Sequence, residues 1–181
     1  MKWIERVAWG LALLGLLFRV LHWPFGGLFT VLGLSGAAIL YFPLGWLLFG
    51  GPSRKDQLLP LSLITGLVLS LTTIGILFKL QLWPGAEFNL MMGLGGCVVV
   101  LVAILGIHSR RLLAEHYFKA LRLRLLVIGF VGLLLYWVPT PSLIKASVGA
   151  GTERADLLIR LYEAPGDTAA QRALEELDRA R

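Results

Sequence analysis

Long apolar stretches alternate with short polar turns from the N-terminus to Val138. The approximate bounds of five apolar segments are 4–21, 25–49, 58–82, 87–107 and 121–138. Stretches of about 18 or more apolar residues are typical of helices that cross a bilayer, where backbone groups must pair internally. The roughly ten-residue alternation of membrane β-strands does not occur in them. We therefore predict an all-α, polytopic transmembrane helical bundle of four or five spans.

The fifth segment is interrupted by charge, and its purely apolar part covers only positions 125–138. We expect it to span if Arg122 and Arg124 extend their charged ends to the lipid headgroups. Tyr136 and Trp137 suit the opposite interface, because amphipathic aromatic side chains favour the headgroup level. This segment brings the predicted span count from four to five.

The composition of the chain supports membrane insertion. Hydrophobic residues make up 57% of its 181 positions and charged residues 15%, against about 45–50% and about 25% in soluble domains. The single cysteine, Cys97, lies in an apolar run, so an intrachain disulfide is excluded and we predict a small buried side chain. No small-residue cleavage site follows Lys2 and Arg6, and we interpret the N-terminal run as an uncleaved first span.

Lys and Arg residues cluster at alternate ends of the predicted spans. The clusters lie at the N-terminus, after the second segment and before the fifth: Lys2, Arg6, Arg54, Lys55, Arg110, Arg111, Lys119, Arg122 and Arg124. Because cytoplasmic loops carry an excess of positive charge, we expect the N-terminus in the cytoplasm. An odd number of spans would then place the C-terminal tail outside.

The C-terminal segment 139–181 is polar, and we predict a helical tail. From Thr152 onward it holds seven acidic residues and five arginines, a net charge of −2, whereas the whole chain carries +6 and the preceding part therefore +8. That positive charge suits lipid headgroups better than nucleic acid. Thr168 and Gln171 have the spacing of a capping box, which predicts a second, amphipathic tail helix after Pro165. Its apolar face could contact a partner, the membrane surface or the neighbouring helix.

A repeat with a constant offset and no gaps divides the apolar region into similar halves. Gly15, Leu17, Phe18, Trp23, Pro24, Gly33, Leu34 and Gly36 recur as Gly75, Leu77, Phe78, Trp83, Pro84, Gly93, Leu94 and Gly96. Each copy contains two predicted spans and returns to its starting side, so the copies are parallel repeats. We predict a first transmembrane hairpin over 1–50, a second over 58–108, and a basic interfacial segment with the fifth span over 109–138.

The turn of each copy supplies the candidate motif or interface residues. They are Phe18, Arg19, His22, Trp23 and Pro24 in the first copy and Phe78, Lys79, Trp83 and Pro84 in the second. Each cation precedes its Trp by four positions, the spacing that places two side chains on one helical face. We expect cation and indole to anchor the hairpin near the membrane surface. Binding of a substrate by the two cations is the alternative.

Small residues spaced four positions apart predict the contacts between helices. They are Ala8 and Ala12, Gly33 and Ala37, and Ser62, Gly66 and Ser70. Helices associate in lipid through close van der Waals contact, so we expect these positions in packing seams rather than in a pore lining.

The segments 17–24 and 77–86 resemble the N-terminal hairpin of the GldL gliding-motility family of Bacteroidota. That hairpin carries a Leu-Phe-Lys-x-x-His-Trp-Pro-Gly-Ala turn followed by a Gly-Leu step, and the resemblance covers the turn and the adjoining parts of both helices in each copy. It implies a hairpin architecture in the bacterial inner membrane. In the family this hairpin belongs to the proton-driven motor of gliding and type IX secretion, with the M protein as its partner.

The membrane carboxylate of that motor has no counterpart at the matching positions. In the family it lies in the second helix of the hairpin, where this chain has Ala37 in the first copy and Cys97 in the second. We expect Glu5 and Glu87 at span ends, so that no acid is predicted to exchange protons within the bilayer. The resemblance therefore implies the architecture but not the motor activity.

The sequence contains no nucleophile, metal-ligand or phosphate-loop pattern that would name a reaction. His108, Glu115 and His116 flank a basic loop, but a solvated interfacial helix explains them better than metal binding. We predict a non-enzymatic integral inner-membrane protein with a structural or assembly role and with no catalytic, cofactor or metal site. Its predicted partners are the lipid bilayer and either a membrane protein or further copies of itself, with no nucleic acid. A small transporter or channel with a site between the two repeats is the alternative.

Overall fold

The computed structural model describes residues 2–49, 58–108, 115–148, 151–164 and 166–179. In these ranges the regular elements are nine helices, with no strand. Their bounds, for α1 to α9, are Lys2–Val20, Gly26–Tyr41, Gly45–Phe49, Leu59–Gln81, Ala86–His108, Glu115–Trp137, Thr140–Val148, Glu153–Glu163 and Thr168–Arg179. The chain divides into two compact units, Met1–Trp137 and Val138–Arg181. The predicted loop cations Arg54, Lys55, Arg110 and Arg111 lie outside the described residues.

Two helices of the described chain, α4 and α5, are long and apolar enough to cross a membrane. α6 meets that standard only together with α7 as one broken span, which would raise the number to three. α2 is apolar but has 16 residues, or about 24 Å at about 1.5 Å per residue, against a hydrocarbon core of about 30 Å. The structure thus supports two to three spans where the sequence predicts four or five.

The second predicted segment, 25–49, is not one continuous helix. α2 ends at Tyr41, a cis Phe42–Pro43 peptide follows, and α3 begins at Gly45. A proline lacks an amide hydrogen and its ring clashes with the preceding turn, so the helix does not continue through Pro43.

The first unit consists of two helical hairpins with α6 packed against the second. α1 packs along α2 and α4 along α5, while α2 contacts α4 and thereby joins the hairpins. The hydroxyls of Ser62 on α4 and Tyr117 on α6 are 2.7 Å apart, and Tyr41 at the end of α2 contacts both Trp9 and Gly66. α1, α4 and α6 therefore begin at the same end of the unit, and α2 and α5 run in the opposite direction.

Glycines bring the backbones of each hairpin close together. Gly15 lies against the backbone of Thr30, and a β-carbon on Gly75 would be 2.8 Å from the amide nitrogen of Leu90. The residues of the predicted packing seams are buried at such contacts: Ala8, Ala12, Ala37, Ser62 and Ser70. Close backbone approach of this kind is what holds helices together in lipid.

The second unit contains α7, α8 and α9. α8 packs against both of the others, and Arg154 of α8 forms an ion pair with Asp178 of α9. α9 begins at Thr168 as predicted, but its cap is one position earlier, because Oδ1 of Asp167 accepts hydrogen bonds from the amides of Ala169 at 3.0 Å and Ala170 at 3.1 Å. The expected cap by Thr168 is therefore wrong. A carboxylate suits this position, since it accepts from several amides at the positive end of the helix.

Candidate functional site

The turns of the two hairpins, which contain the predicted motif residues, share one backbone geometry. The amide of Trp23 donates to the carbonyl of Phe18 at 2.8 Å, and the same bond joins Trp83 to Phe78 at 2.8 Å. The paired rings lie edge to face, with centroids 5.2 Å and 5.4 Å apart. Pro24 and Pro84 follow in the turns and are exposed.

Left-handed backbone conformations also recur at the same offset. His22 and Leu82 have φ of 55° and 59°, and Phe25 and Gly85 have φ of 68° and 84°. Glycine adopts this conformation without strain, whereas a β-carbon makes it unfavourable. The first turn therefore adopts the same geometry with Phe25 at the position where the second turn has Gly85.

The tryptophans do not share a helical face with the cations of the motif. α1 ends at Val20 and α4 at Gln81, so Trp23 and Trp83 lie in the turns beyond the helices. Four-residue spacing brings side chains together only within a helix. Each indole therefore packs against its phenylalanine, and the expected cation–indole anchor does not form.

Arg19 instead connects the first hairpin to the second. Its guanidinium donates to the backbone carbonyl of Leu80 and, at 3.0 Å, to Oε1 of Gln81. The side-chain amide nitrogen of Gln81 donates in turn to the carbonyl of Gly27 at 3.0 Å. These bonds join the end of α1 and the start of α2 to the end of α4, and we call this group of residues the inter-hairpin clamp.

Lys79, which corresponds to Arg19 in the repeat, pairs within its own hairpin. Its side chain is 2% exposed, and Nζ lies 3.4 Å from Oε1 of Glu87 at the start of α5. The two equivalent cations thus have different partners, one across the hairpins and one within a hairpin.

A second polar cluster, which the sequence pattern does not predict, lies among α1, α2 and α6. Nε and Nη2 of Arg124 each donate to Glu5, at 2.7 Å to Oε1 and 2.7 Å to Oε2. The hydroxyl of Tyr41 donates to Oε1 of Glu5 at 3.0 Å and accepts from the indole nitrogen of Trp9 at 2.9 Å. The Glu5 and Arg124 side chains are 12% and 17% exposed. We call these four residues the Glu5 cluster.

Arg124 therefore does not extend to the headgroups in the way the sequence suggests. It is bound by Glu5, donates to the carbonyl of Ala120 at 3.2 Å and lies 5.5 Å from the centroid of the Phe49 ring. The sequence feature that could have indicated this cluster is a glutamate and an arginine in separate apolar segments, because charged residues in such segments are rare. The pairing itself is not predictable from a local pattern, because Glu5 and Arg124 are 119 positions apart in sequence and meet only when their helices pack together.

The Glu5 cluster forms the polar end of a cavity of about 310 Å³ between the first hairpin and α6. The apolar wall is provided by Leu123, Val127, Ile128 and Val131 of α6. These residues span eight helical steps, or about 12 Å. The cavity is therefore charged at one end and apolar along its length.

Ala37 and Cys97, which the sequence comparison of the two copies aligns with each other, are buried. Ala37 is fully buried, and the thiol of Cys97 lies 3.6 Å from the hydroxyl of Thr72. The prediction of a buried Cys97 is confirmed.

Metal-binding geometry does not occur among the described residues, which contain no group of three or more His, Cys, Asp or Glu side chains placed to hold an ion. The side chains of His108, Glu115 and His116 lie outside them. Every buried side-chain nitrogen and oxygen in the described ranges has a hydrogen-bond partner.

No protein-family model, curated protein or solved structure matches this chain.

Proposed function

We propose that this chain is a non-enzymatic integral protein of the bacterial inner membrane with a structural or assembly role. The contacts made by the two motif cations support the proposal most strongly. Arg19 binds the second hairpin and Lys79 binds Glu87, so the most distinctive polar residues of the repeat connect helices to one another. The shared geometry of the two turns supports two parallel hairpin repeats of one unit.

The likeness of the turns to the GldL-type hairpin supports the inner-membrane location. A motor role is not part of the proposal, because Ala37 has no titratable group and Cys97 supplies a thiol in place of the carboxylate. Glu5, which lies near the start of α1 with its side chain 12% exposed, has both carboxylate oxygens bound by Arg124.

The proposed topology has a cytoplasmic N-terminus and, with five spans, a C-terminal tail outside. Single cysteines at Lys55→Cys and Glu176→Cys, in a Cys97→Ala background, are expected to react with an impermeant thiol reagent from opposite sides of the membrane. Labelling from the same side would contradict either the fifth span or the orientation.

Proton flux tests the structural role against transport. Purified protein in liposomes with an imposed pH gradient is expected to leave the internal pH the same as in empty vesicles. Arg19→Ala together with Lys79→Ala is expected to lower the stability of the bundle, because both contacts between helices are lost. A specific proton flux that disappears with these two substitutions would refute the proposal.

A membrane protein or a second copy of this chain is the proposed assembly partner, with the polar tail as the contact. α9 presents Leu174 and Leu177, which are half-buried, on the same face as buried Ala170. Light scattering of the solubilised protein, compared with a variant lacking the segment 139–181, is expected to show a smaller assembly for the shortened chain. An unchanged mass would exclude self-assembly through the tail.

A small transporter or channel is the second candidate function, and the cavity beside the Glu5 cluster favours it. A transport site in this cavity would lie between the first hairpin and α6, and not between the two repeats as the sequence predicts. Solute uptake that is lost on filling the cavity by Val127→Trp would favour the transporter over the structural role.

A further inference from the structure

We propose that the cavity between the first hairpin and α6 binds one phospholipid with a primary ammonium headgroup, as in phosphatidylethanolamine. This inference requires that the chain is embedded in a bilayer, as the proposed function does. It does not depend on the assembly role.

The cavity suits the headgroup of a lipid and the adjoining part of one acyl chain. Its charged end is formed by Glu5 and Arg124, and its wall follows α6 for about 12 Å toward Val131. Leu123 and Val127 are 60% and 54% exposed, so the cavity is open on its outer side, where lipid would lie around the embedded chain. An acyl chain can enter sideways and lie along this wall while its headgroup stays at the Glu5 cluster.

Arg124 retains hydrogen-bond donors for a phosphate. A guanidinium has five N–H groups, and the contacts in the described chain use three of them, two on Glu5 and one on the carbonyl of Ala120. The other two donors have the geometry that binds phosphate oxygens well.

Glu5 retains acceptor capacity for an ammonium group. A carboxylate offers about four acceptor positions, and three are used in the described contacts, two on Oε1 by Arg124 and Tyr41 and one on Oε2 by Arg124. The remaining position on Oε2 can accept from a primary ammonium. A choline headgroup has no N–H to donate there, and an anionic glycerol headgroup offers no cation.

Arg124 and Glu5 have opposite charges and are in direct contact, so a headgroup that reaches one also reaches the other. A zwitterionic headgroup can place its phosphate at Arg124 and its ammonium at Glu5 while the ion pair stays intact. A lipid with a net negative charge and no ammonium group would instead leave the spare acceptor position on Glu5 unfilled. Charge complementarity therefore selects the ammonium phospholipid.

The test is native mass spectrometry of the intact, detergent-solubilised protein with equal amounts of phosphatidylethanolamine, phosphatidylcholine and phosphatidylglycerol. We expect one retained phosphatidylethanolamine, preferred about tenfold over the other two, the effect of one charge-assisted hydrogen bond. Glu5→Gln is expected to remove most of that preference. Equal retention of the three lipids by the unchanged protein would overturn the proposal.

Two matched substitutions locate the site. Val127→Trp fills the cavity and is expected to remove the retained lipid, whereas Val99→Trp on α5, at a position 68% exposed and outside the cavity, is expected to keep it. Equal effects of the two, or no retained lipid at all, would contradict a specific site. Resistance of the protein to alkaline extraction from membranes checks bilayer embedding separately, so that failure of the membrane proposal is distinguishable.

Discussion

Removal of the Arg124 guanidinium is the perturbation with the largest predicted effect on stability. Arg124→Gln takes away two hydrogen bonds of 2.7 Å from Glu5 and leaves the carboxylate with Tyr41 as its partner in the cluster. Removing one member of a buried pair typically costs about 3–5 kcal/mol, because a charge is left uncompensated.

The loss of stability cannot exceed the free energy of protonating Glu5, because a protonated Glu5 no longer leaves an uncompensated charge. A glutamate has an ordinary pKa in water of about 4.3, and each pH unit is worth about 1.36 kcal/mol, so protonation at pH 7 costs about 3.7 kcal/mol. At pH 5 the same step costs only about 1 kcal/mol. The destabilisation by Arg124→Gln is therefore expected to fall as the pH is lowered.

The assay is unfolding of the purified protein in mixed micelles, followed by tryptophan fluorescence at pH 7 and pH 5. Arg124→Gln is expected to lower the free energy of unfolding by about 3–4 kcal/mol at pH 7 and by about 1 kcal/mol at pH 5. Glu5→Gln in the same chain removes the carboxylate and is expected to restore part of the loss. Arg122→Gln is the control, because Arg122 lies about 200° away around α6.

A loss that is the same at both pH values, or a loss as large for Arg122→Gln, would refute this reasoning. The first result would mean that Glu5 does not carry the cost. The second would mean that the effect follows the charge of α6 rather than the ion pair.

Three further substitutions test the packing, the turns and the tail. Gly15→Ala is expected to lower the free energy of unfolding by about 1–3 kcal/mol, because its β-carbon meets the Thr30 backbone, whereas Gly10→Ala on the open face of α1 is expected to raise it by up to about 1 kcal/mol, because alanine favours the helix. Phe25→Gly is expected to raise the stability by about 1 kcal/mol, as strain at φ 68° is relieved, and an unchanged or lower value in the same unfolding assay would contradict this. Asp167→Ala is expected to destabilise α9 by about 0.5–2 kcal/mol, visible as faster amide exchange in the first turn of that helix, and unchanged exchange would assign the cap elsewhere.

The sequence predicts the second hairpin closely. α4 and α5 begin and end within one position of the predicted segments, because both are long apolar runs bounded by a turn. The break at Pro43 is not predicted, since the apolar pattern continues through it. Helices in membranes tolerate proline when neighbouring groups satisfy the backbone carbonyls that it leaves unpaired, so the presence of Pro43 alone does not predict a break.

The candidate sites depend on contacts that no local pattern contains. The motif draws attention to Arg19 and Lys79, but its helical spacing runs across a helix end, and the partners of Arg19 are 61 and 62 positions away. The Glu5 cluster joins α1, α2 and α6, whose neighbour relations follow from packing of the whole bundle. Asp167 is not predicted as a cap because the capping-box pattern favours the threonine that follows it.

The central claim is that the motif cations connect helices, and a measurement on the inter-hairpin clamp tests it most directly. In a double-mutant cycle of Arg19→Ala and Gln81→Ala, the free energies of unfolding in mixed micelles are expected to be less than additive, with a coupling of about 1–3 kcal/mol for a hydrogen bond to a charged group. Strictly additive losses, with a coupling near zero, would contradict the claim that Arg19 connects the two hairpins.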